Sequence, residues 1–574
     1  MSEKNTESAK YFQSSEDIAH LGVRTIEATQ QVYGKYSLWF LFISLGLAAY
    51  IYSLDGTTTY SYLAFATSGF GHHSLISTIQ VAQSIIIAVG KPVIAKVADV
   101  QSRGSAYVIV LVFYVIGYIV IASAKNIQAI AGGIIVYAVG YIGLQLLTQI
   151  IIADITTLEW RGLVSRLISL PYIINAFVGS NISTSIITHS GWRWGYGMFA
   201  ILVPAALAPL ILTLLWAERK SRALGLISSK QSGPVLHQIL DTANKLDIVG
   251  LALIGTSVAL ILLPLTLAEA AKGRWKNTLM IVMIVVGAVL IPVYIIWDFR
   301  FTKYPVITKR FVLNRTVVFA ALLGAFDFVL FYISYTYLFS FVIVVKPWPL
   351  LNATYFAQTQ TVALTVFGIL AGLSMHFLHR YKYILIVGLA IHLLGCGLMI
   401  HSRGANASDA EIVWSQVLQG IGGGFAAVAS QVAAQASVPH ADMAMITAVV
   451  LLVTEIGGSI GGAIAGALWT NMMPGKLAKY LDPLLSKEVQ LELFGSITTA
   501  VQYPRGDPIR EGVIQAYDDV MKTMTIVATA IAVVPLVLSF LMPNWYLGNT
   551  QNAVDNTTPV DSKKSRSVQD RGAS

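Results

Sequence analysis

Residues 105–153 read SAYVIVLVFYVIGYIVIASAKNIQAIAGGIIVYAVGYIGLQLLTQIIIA, two apolar runs parted only by Lys125 and a short polar turn. Each run has the roughly 20 residues that a helix rising about 1.5 Å per residue needs to cross a hydrocarbon layer. The pair therefore reads as two antiparallel membrane helices. The same test along the chain gives fourteen windows, at about 36–55, 73–94, 105–124, 128–153, 164–187, 195–217, 247–267, 278–298, 316–345, 354–378, 383–402, 412–435, 444–470 and 523–542. The ninth is long enough to hold a kink. Composition agrees: of 574 residues 55% are apolar and 12% charged, against about 25% charged in a soluble domain. A soluble enzyme of this length could not coat its surface, so lipid is the second solvent.

The net charge of +9 is scattered between apolar blocks rather than gathered in a stripe, which argues against a nucleic-acid partner. With the N-terminus inside, the inner loops hold sixteen Lys and Arg against seven in the short outer loops, so both termini are expected in the cytoplasm. Cys396 is the only cysteine, which excludes an intrachain disulfide and a thiolate zinc cage. The N-terminus has neither the apolar core of a signal peptide nor the bias of a transit peptide, leaving the first span as the targeting signal.

These boundaries divide the chain into a cytoplasmic tail (1–35), a six-helix bundle (36–217), a basic cytoplasmic loop (218–245), two inserted helices (246–298), a second six-helix bundle (299–542) and a disordered cytoplasmic tail (543–574). The polar stretch 471–522 is expected as a long external loop, and loops of that length are more often functional than idle.

Three sequence blocks carry more than hydropathy. GKPVIAKVADVQSRG (90–104) joins the second and third windows and places Asp99 and Arg103 at an inner helix end; IIADITTLEWRGLVSR (151–166) places Asp154 and Arg161 at another; GWRWGYGMFAI (191–201) sets Trp192, Arg193 and Trp194 at the outer interface. The first resembles the signature loop of the major facilitator superfamily, GxxxDRxGRR, with Ala95, Val100 and Ser102 departing from it. Together the ordered blocks resemble the fourteen-helix branch of that superfamily, and within it the fungal siderophore-iron transporters. This resemblance implies an all-helical fold of two six-helix bundles plus two extra helices, with Asp99, Arg103, Asp154 and Arg161 serving a cytoplasmic gate.

An internal echo supports two halves: Gly140 and Gly143 on the fourth span have apparent counterparts in Gly420 and Gly423 on the twelfth, where Gln419, Gly420 and Gly422 resemble the superfamily's QGxG pattern. Repeats of this kind place a substrate site near the midplane between them. Val136 stands where many proton-driven relatives carry an Arg, so proton coupling needs another residue.

Ionisable groups inside a membrane are costly and are functional candidates by default. Asp327, in AFDFVLFYISYTYLFSF, and Glu455, opening EIGGSIGGAIAG, are the proton-coupling candidates. The glycines after Glu455, four residues apart, read as helix packing. Asp55, read at the outer end of the first span, is a candidate for an outer vestibule. Gln145 and Gln149 share one face of span four, and Gln431 sits at matching depth on span twelve; with Asn175, Tyr332 and Tyr335 they suit a cavity for a large amide-rich ligand. The resemblance adds the outer stretch containing Tyr503, Arg510 and Tyr517 as substrate-binding candidates.

The paired histidines, His72 with His73 and His376 with His379, recruit no nearby acids or thiols, so a resident metal is not expected, nor is any other cofactor, and no GxxxxGK[ST] loop points to nucleotide hydrolysis. A ferric siderophore brings its iron already ligated. The resemblance therefore implies a monomeric secondary carrier of the plasma membrane, or of an endosomal or vacuolar membrane, importing ferric siderophores with protons. A proton antiporter exporting drugs or a small peptide thiol shares the architecture, but SLPYIINAFVGSNIS does not reproduce its GxxxGPxxGG signature. A non-transporting receptor would need docking modules that the short tails lack, and no nucleophile–base pair marks an enzyme.

Overall fold

The computed structural model describes residues 32–548, apart from 71–75, 101, 157–159, 161–162, 165–166, 226–246, 268–275, 303–306, 308, 405–406, 440–441, 483 and 496. Fourteen long helices succeed one another within the described residues. They are α1 (Lys35–Gly69), α2 (Ile76–Val100), α3 (Arg103–Ala122), α4 (Ile127–Ile155), α5 (Pro171–His189), α6 (Trp192–Ala223), α7 (Ile248–Leu267), α8 (Thr278–Ile296), α9 (Arg315–Tyr335), α10 (Leu350–Leu378), α11 (Lys382–Ser402), α12 (Asp409–Ala436), α13 (Met443–Leu481) and α14 (Pro508–Leu541).

Among the described residues thirteen candidate spans are long and apolar enough to cross a membrane, and α5 is the long helix left out. α5 carries Asn175, Ser180 and Ser183, all buried, and packs against α1 and α10. These three polar side chains thus face protein. The lipid-facing surface is plain on α3, where Val112, Phe113, Ile116 and Ile119 are exposed, and on α8, with Val285 and Val289. In water so large an apolar belt would drive aggregation; in a bilayer it is the required surface.

The packing repeats itself. In the first half α1 packs on α5 and α6, α2 on α4, α3 on α4 and α6; in the second half α9 packs on α13 and α14, α10 on α12, α11 on α12 and α14. Adding eight to each helix number turns one set into the other. The halves meet along two seams, α2 with α13 and α5 with α10, which the same operation exchanges. The inserted α7 and α8 pack on each other, and α7 covers the α2–α13 seam through Leu262, Val81, Ile85 and Ala463.

Small residues allow the close approaches. A Cβ at Gly117 or Gly140 would stand 2.5 Å from backbone nitrogen of Tyr137 or Tyr114, and one at Gly422 would stand 2.4 Å from His392 Cβ. The register of the internal echo is therefore corrected by two residues. Gly422, not Gly420, is the counterpart of Gly140, whereas Gly420 abuts Ala363 and Gln360 on α10. At the next contact, the sizes are swapped: Gly143 meets Val110 in the first half and Gly388 meets Phe425 in the second.

Two boundaries move. α9 ends at Tyr335, and after Thr336 and Tyr337 the chain resumes as a short helix, Leu338–Val345, which is the break the long ninth window implied. α13 continues past 470 to Leu481 because Met473, Leu477 and Leu481 keep helical spacing and stay buried against the second half. The remainder of 471–522 holds short helices Lys487–Gly495 and Ile497–Gln502 before α14 opens at Pro508, capped by Asp507.

Candidate functional site

Between the halves lies a cavity of about 330 Å³, walled by Tyr52, Tyr137, Tyr141, Tyr172 and Tyr196 from the first half and Phe331, Tyr332 and Tyr335 from the second. Polar groups reach it from Gln80, Gln83, Ser84, Gln145, Thr336 and Glu455. Among the sequence-derived candidates, Gln145, Tyr332, Tyr335 and Glu455 thus share one cavity. Tyr335 is also fixed from behind, donating to the Ala357 carbonyl at 3.1 Å and stacking on Phe331 at 4.9 Å between ring centres.

Each charged candidate in the spans has a partner on another helix. Lys91 on α2, 1% exposed, reaches Glu455 Oε1 on α13 at 2.8 Å. Asp327 on α9 lies 2.9 Å from His392 Nδ1 on α11, close enough for an ion pair although the two atoms are not aligned as a hydrogen bond. Asp55 accepts hydrogen bonds from the hydroxyls of Tyr114, Tyr118 and Tyr137, the last at 2.8 Å. It is fully buried within α1, so its placement at an outer helix end is corrected: α1 runs fourteen residues further, to Gly69.

Asp55 and Asp327 occupy matching places. Both lie on the first helix of their half. Tyr114 and His392 take equivalent positions on the third helix, because Gly140 and Gly422 of the fourth helix press on them in the same way. By the same register Tyr118 answers to Cys396, and Tyr137 to Gln419, each pressed by Gly117 or Gly395. The two halves have built an acid centre at one spot, with phenols in one and an imidazole in the other.

Gln149 and Gln431 face each other across the halves at 3.4 Å, and Gln149 lines a side cavity of about 80 Å³ with Gln145. Asn175 is engaged within the first half, donating to the Tyr50 carbonyl at 2.9 Å and to Ser53 Oγ at 2.5 Å. Its neighbour Asn181 instead crosses to Tyr355 Oη at 2.8 Å. Inter-half contacts therefore flank the cavity on both sides.

The outer candidates lie apart from this cavity. Arg510 is buried and donates to the carbonyls of Ile343, Val344, Ala500 and Tyr503; it ties α14 to the helix that continues α9. Tyr517 is buried edge-on against Trp469, which stacks on Tyr337 at 4.1 Å. Tyr503 packs against the same cluster. Of the gate residues, Arg103 is buried in the first turn of α3, where Ser102 caps the helix. The side chains of Asp99 and Asp154, and the whole of Arg161, lie outside the described residues.

The GWRWGYGM block explains its own spelling. Gly191 takes φ 79° at the α5–α6 turn, a conformation that favours glycine. Arg193 lies 4.3 Å from the Trp192 ring centre and donates to the Ala124 carbonyl at 3.1 Å, pinning α6 to the α3–α4 turn. A Cβ at Gly195 would meet the Tyr62 ring at 2.7 Å.

Sequence reasoning missed Lys91, His392 and the tyrosines around Asp55. The available signal was charge within an apolar window, and for Lys91 it was hidden by the resemblance of GKPV to the start of a loop.

The sequence profile of the Major Facilitator Superfamily matches residues 41–462. The siderophore transporter fer7 of Mycosarcoma maydis is 38% identical over 563 residues, covering 93% of this chain and 85% of that protein. The low affinity heme transporter str3 of Schizosaccharomyces pombe is 36% identical, covering 95% and 89%, and siderophore iron transporter 1 of Saccharomyces cerevisiae is 30% identical, covering 96% and 88%. The proton:xylose symporter XylE superposes with a TM-score of 0.51 at 11% identity, covering 91% of this chain and 98% of its own; at that identity the likeness concerns fold alone. The chain belongs to the major facilitator superfamily, among its fungal siderophore-iron transporters, and is a multi-pass membrane transporter rather than an enzyme.

Proposed function

We propose that this chain imports ferric siderophores with protons, the two halves exposing the central cavity alternately to either side of the plasma membrane. The observation that carries this reading is the cavity itself: aromatic walls from both halves, amides and hydroxyls between them, and Glu455 at its edge. Aromatic faces suit the surface of an organic chelate, and amide side chains suit its polar rim. At about 330 Å³ the space lies at the low end of ligand pockets, roughly 300–1,000 Å³, so a large chelate enters only as the halves part.

Proton coupling rests on Asp327 beside His392 and on Glu455 beside Lys91. Protonating either carboxyl removes the negative member of a buried pair, and the remaining cation then favours a rearranged packing. A bistable interface biased by such a change is the general form of a switch.

The relative described as a heme transporter favours a second reading, in which the iron arrives in a flat tetrapyrrole. Uptake of radioiron supplied as defined siderophores or as heme, into cells lacking other carriers and with or without an uncoupler, separates the readings. Accumulation from siderophores that collapses with the proton gradient is expected. Accumulation from heme alone would replace the substrate, and accumulation that survives the uncoupler would remove symport. In Asp327→Asn, binding is kept while uphill accumulation fails.

A further inference from the structure

The structure assigns to Asp55 the role of a further proton site in the transport cycle, the first-half counterpart of Asp327, with Tyr137 as the hydroxyl that connects it to the cavity. This deepens the symport reading and rests on it. Asp55 is fully buried, and the groups that face it are phenols and hydroxyls: Tyr114 and Tyr118 on α3, Tyr137 on α4 and Thr59 on its own helix, with Tyr62, Tyr141, Tyr172 and Tyr196 in the surrounding shell. No Lys, Arg or His is among these described neighbours. A carboxylate kept for structure is ordinarily paired with a cation when buried so deeply. Phenols offer something else, since each hydroxyl both donates and accepts. Three of them can solvate the anion by donating, and one can turn to accept from the neutral acid. The cage therefore accommodates both protonation states, as a site that loads and unloads a proton must.

The route is as specific as the cage. Tyr137 donates to Asp55 Oδ2 at 2.8 Å and also lines the cavity, as does Gly56 beside Asp55. In the loading step Tyr137 passes its hydroxyl proton to Oδ2 while its oxygen takes a proton from a hydronium ion in the cavity. The carboxyl ends neutral, the phenol is restored and water is left behind. Unloading is the reverse. The equivalent position in the second half is Gln419, which cannot relay a proton in this way; there Asp327 uses His392. Each half thus carries its own acid and its own proton-handling partner at the same place, and Asp55 adds one proton per chelate to those carried by the other carboxyls.

The test uses the full-length protein in proteoliposomes with a siderophore of the class the wild type carries, an imposed pH gradient, and proton and iron fluxes measured together. Asp55→Asn is expected to move one proton fewer per chelate than the wild type, so accumulation per imposed pH unit falls about tenfold, the contribution of one proton. Because Asp55→Asn also changes a buried hydrogen-bond cluster, infrared difference spectra between acid and alkaline pH provide a second readout on the unloaded protein. A protonated-carboxyl band is expected to disappear in Asp55→Asn and to titrate more slowly in Tyr137→Phe, which keeps the ring and removes the relay. If the wild type is coupled but Asp55→Asn keeps both its stoichiometry and the band, the assignment to Asp55 fails and symport stands. If the wild type takes up chelate without proton movement, symport fails and the assignment falls with it.

Discussion

Lys91 and Glu455 join the two halves of the molecule through a single buried contact, Nζ to Oε1 at 2.8 Å. The lysine belongs to α2 and the glutamate to α13, the two helices of the seam that α7 covers, where Gly255 of α7 would place a Cβ 3.0 Å from Val89. The pair is shielded from lipid on one side, and Glu455 faces the cavity on the other. Any motion that opens this seam must separate the ions or carry a proton to the carboxylate.

Removing one partner strands the other. Lys91→Met leaves an unpaired buried carboxylate and is expected to lower stability by roughly 3–5 kcal/mol, whereas the double variant Lys91→Met with Glu455→Gln recovers most of the loss. Thermal unfolding of the purified protein in detergent, arranged as a double-mutant cycle, reads the coupling directly. Equal, additive losses would mean that the two charges do not sense one another.

Glycines on α13 are expected to divide sharply. A Cβ at Gly457 would lie 2.3 Å from the Ala325 carbonyl oxygen and one at Gly461 2.5 Å from that of Val329, both backbone atoms of α9, while at Gly462 the nearest atom is a Val81 methyl at 3.5 Å. Gly457→Ala and Gly461→Ala must push α9 away and, since Asp327 lies between those contacts, displace it from His392. Both are predicted to destabilise by about 1–3 kcal/mol as overpacked variants do and to impair coupled uptake. Gly462→Ala should stay within about 0.5 kcal/mol of the parent. A thermal shift series across the three checks the order.

Arg510 holds four carbonyl groups at the end of α14. Lysine is a poor replacement, because a compact ammonium cannot reproduce the planar fork of a guanidinium. Arg510→Lys is expected to leave buried carbonyls unsatisfied at about 1–3 kcal/mol each, loosening the outer end of the second half. Hydrogen exchange should rise first in Leu338–Val345 and the 497–510 region. Exchange confined to other helices would mean that the arginine is not the tie.

Hydropathy made the helices legible because a bilayer tolerates only segments that satisfy their own backbone, and it made Asp327 and Glu455 legible because a charge stands out against an apolar run. It could not show that Asp55 meets Tyr118, or Lys91 meets Glu455, since those pairings depend on how helices rotate against each other and on residues separated by 63 and 364 positions. Burial misled in the same way at the outer stretch: Arg510 looked like a ligand-facing base, but four carbonyls of its own chain occupy its donors. α5 shows the converse, a helix whose polar residues make sense only once its protein neighbours on both sides are known.

Two contacts across the halves lie on opposite sides of the cavity, Gln149 with Gln431 at 3.4 Å and Asn181 with Tyr355 at 2.8 Å. Gln149 lies near the end of α4 that leads to 157–159, while Asn181 lies toward the opposite end of α5. If the halves rock about the cavity, the two contacts cannot both persist through a cycle, because opening one side separates its pair while the other stays closed. Cysteine pairs placed at 149 and 431, or at 181 and 355, in a background with Cys396→Ser, should therefore cross-link with a short bifunctional reagent, and either cross-link alone should abolish uptake while a singly modified control keeps it. Substrate should alter the two cross-linking rates in opposite directions. A protein locked at one pair that still accumulates iron would show that this pair does not open during transport.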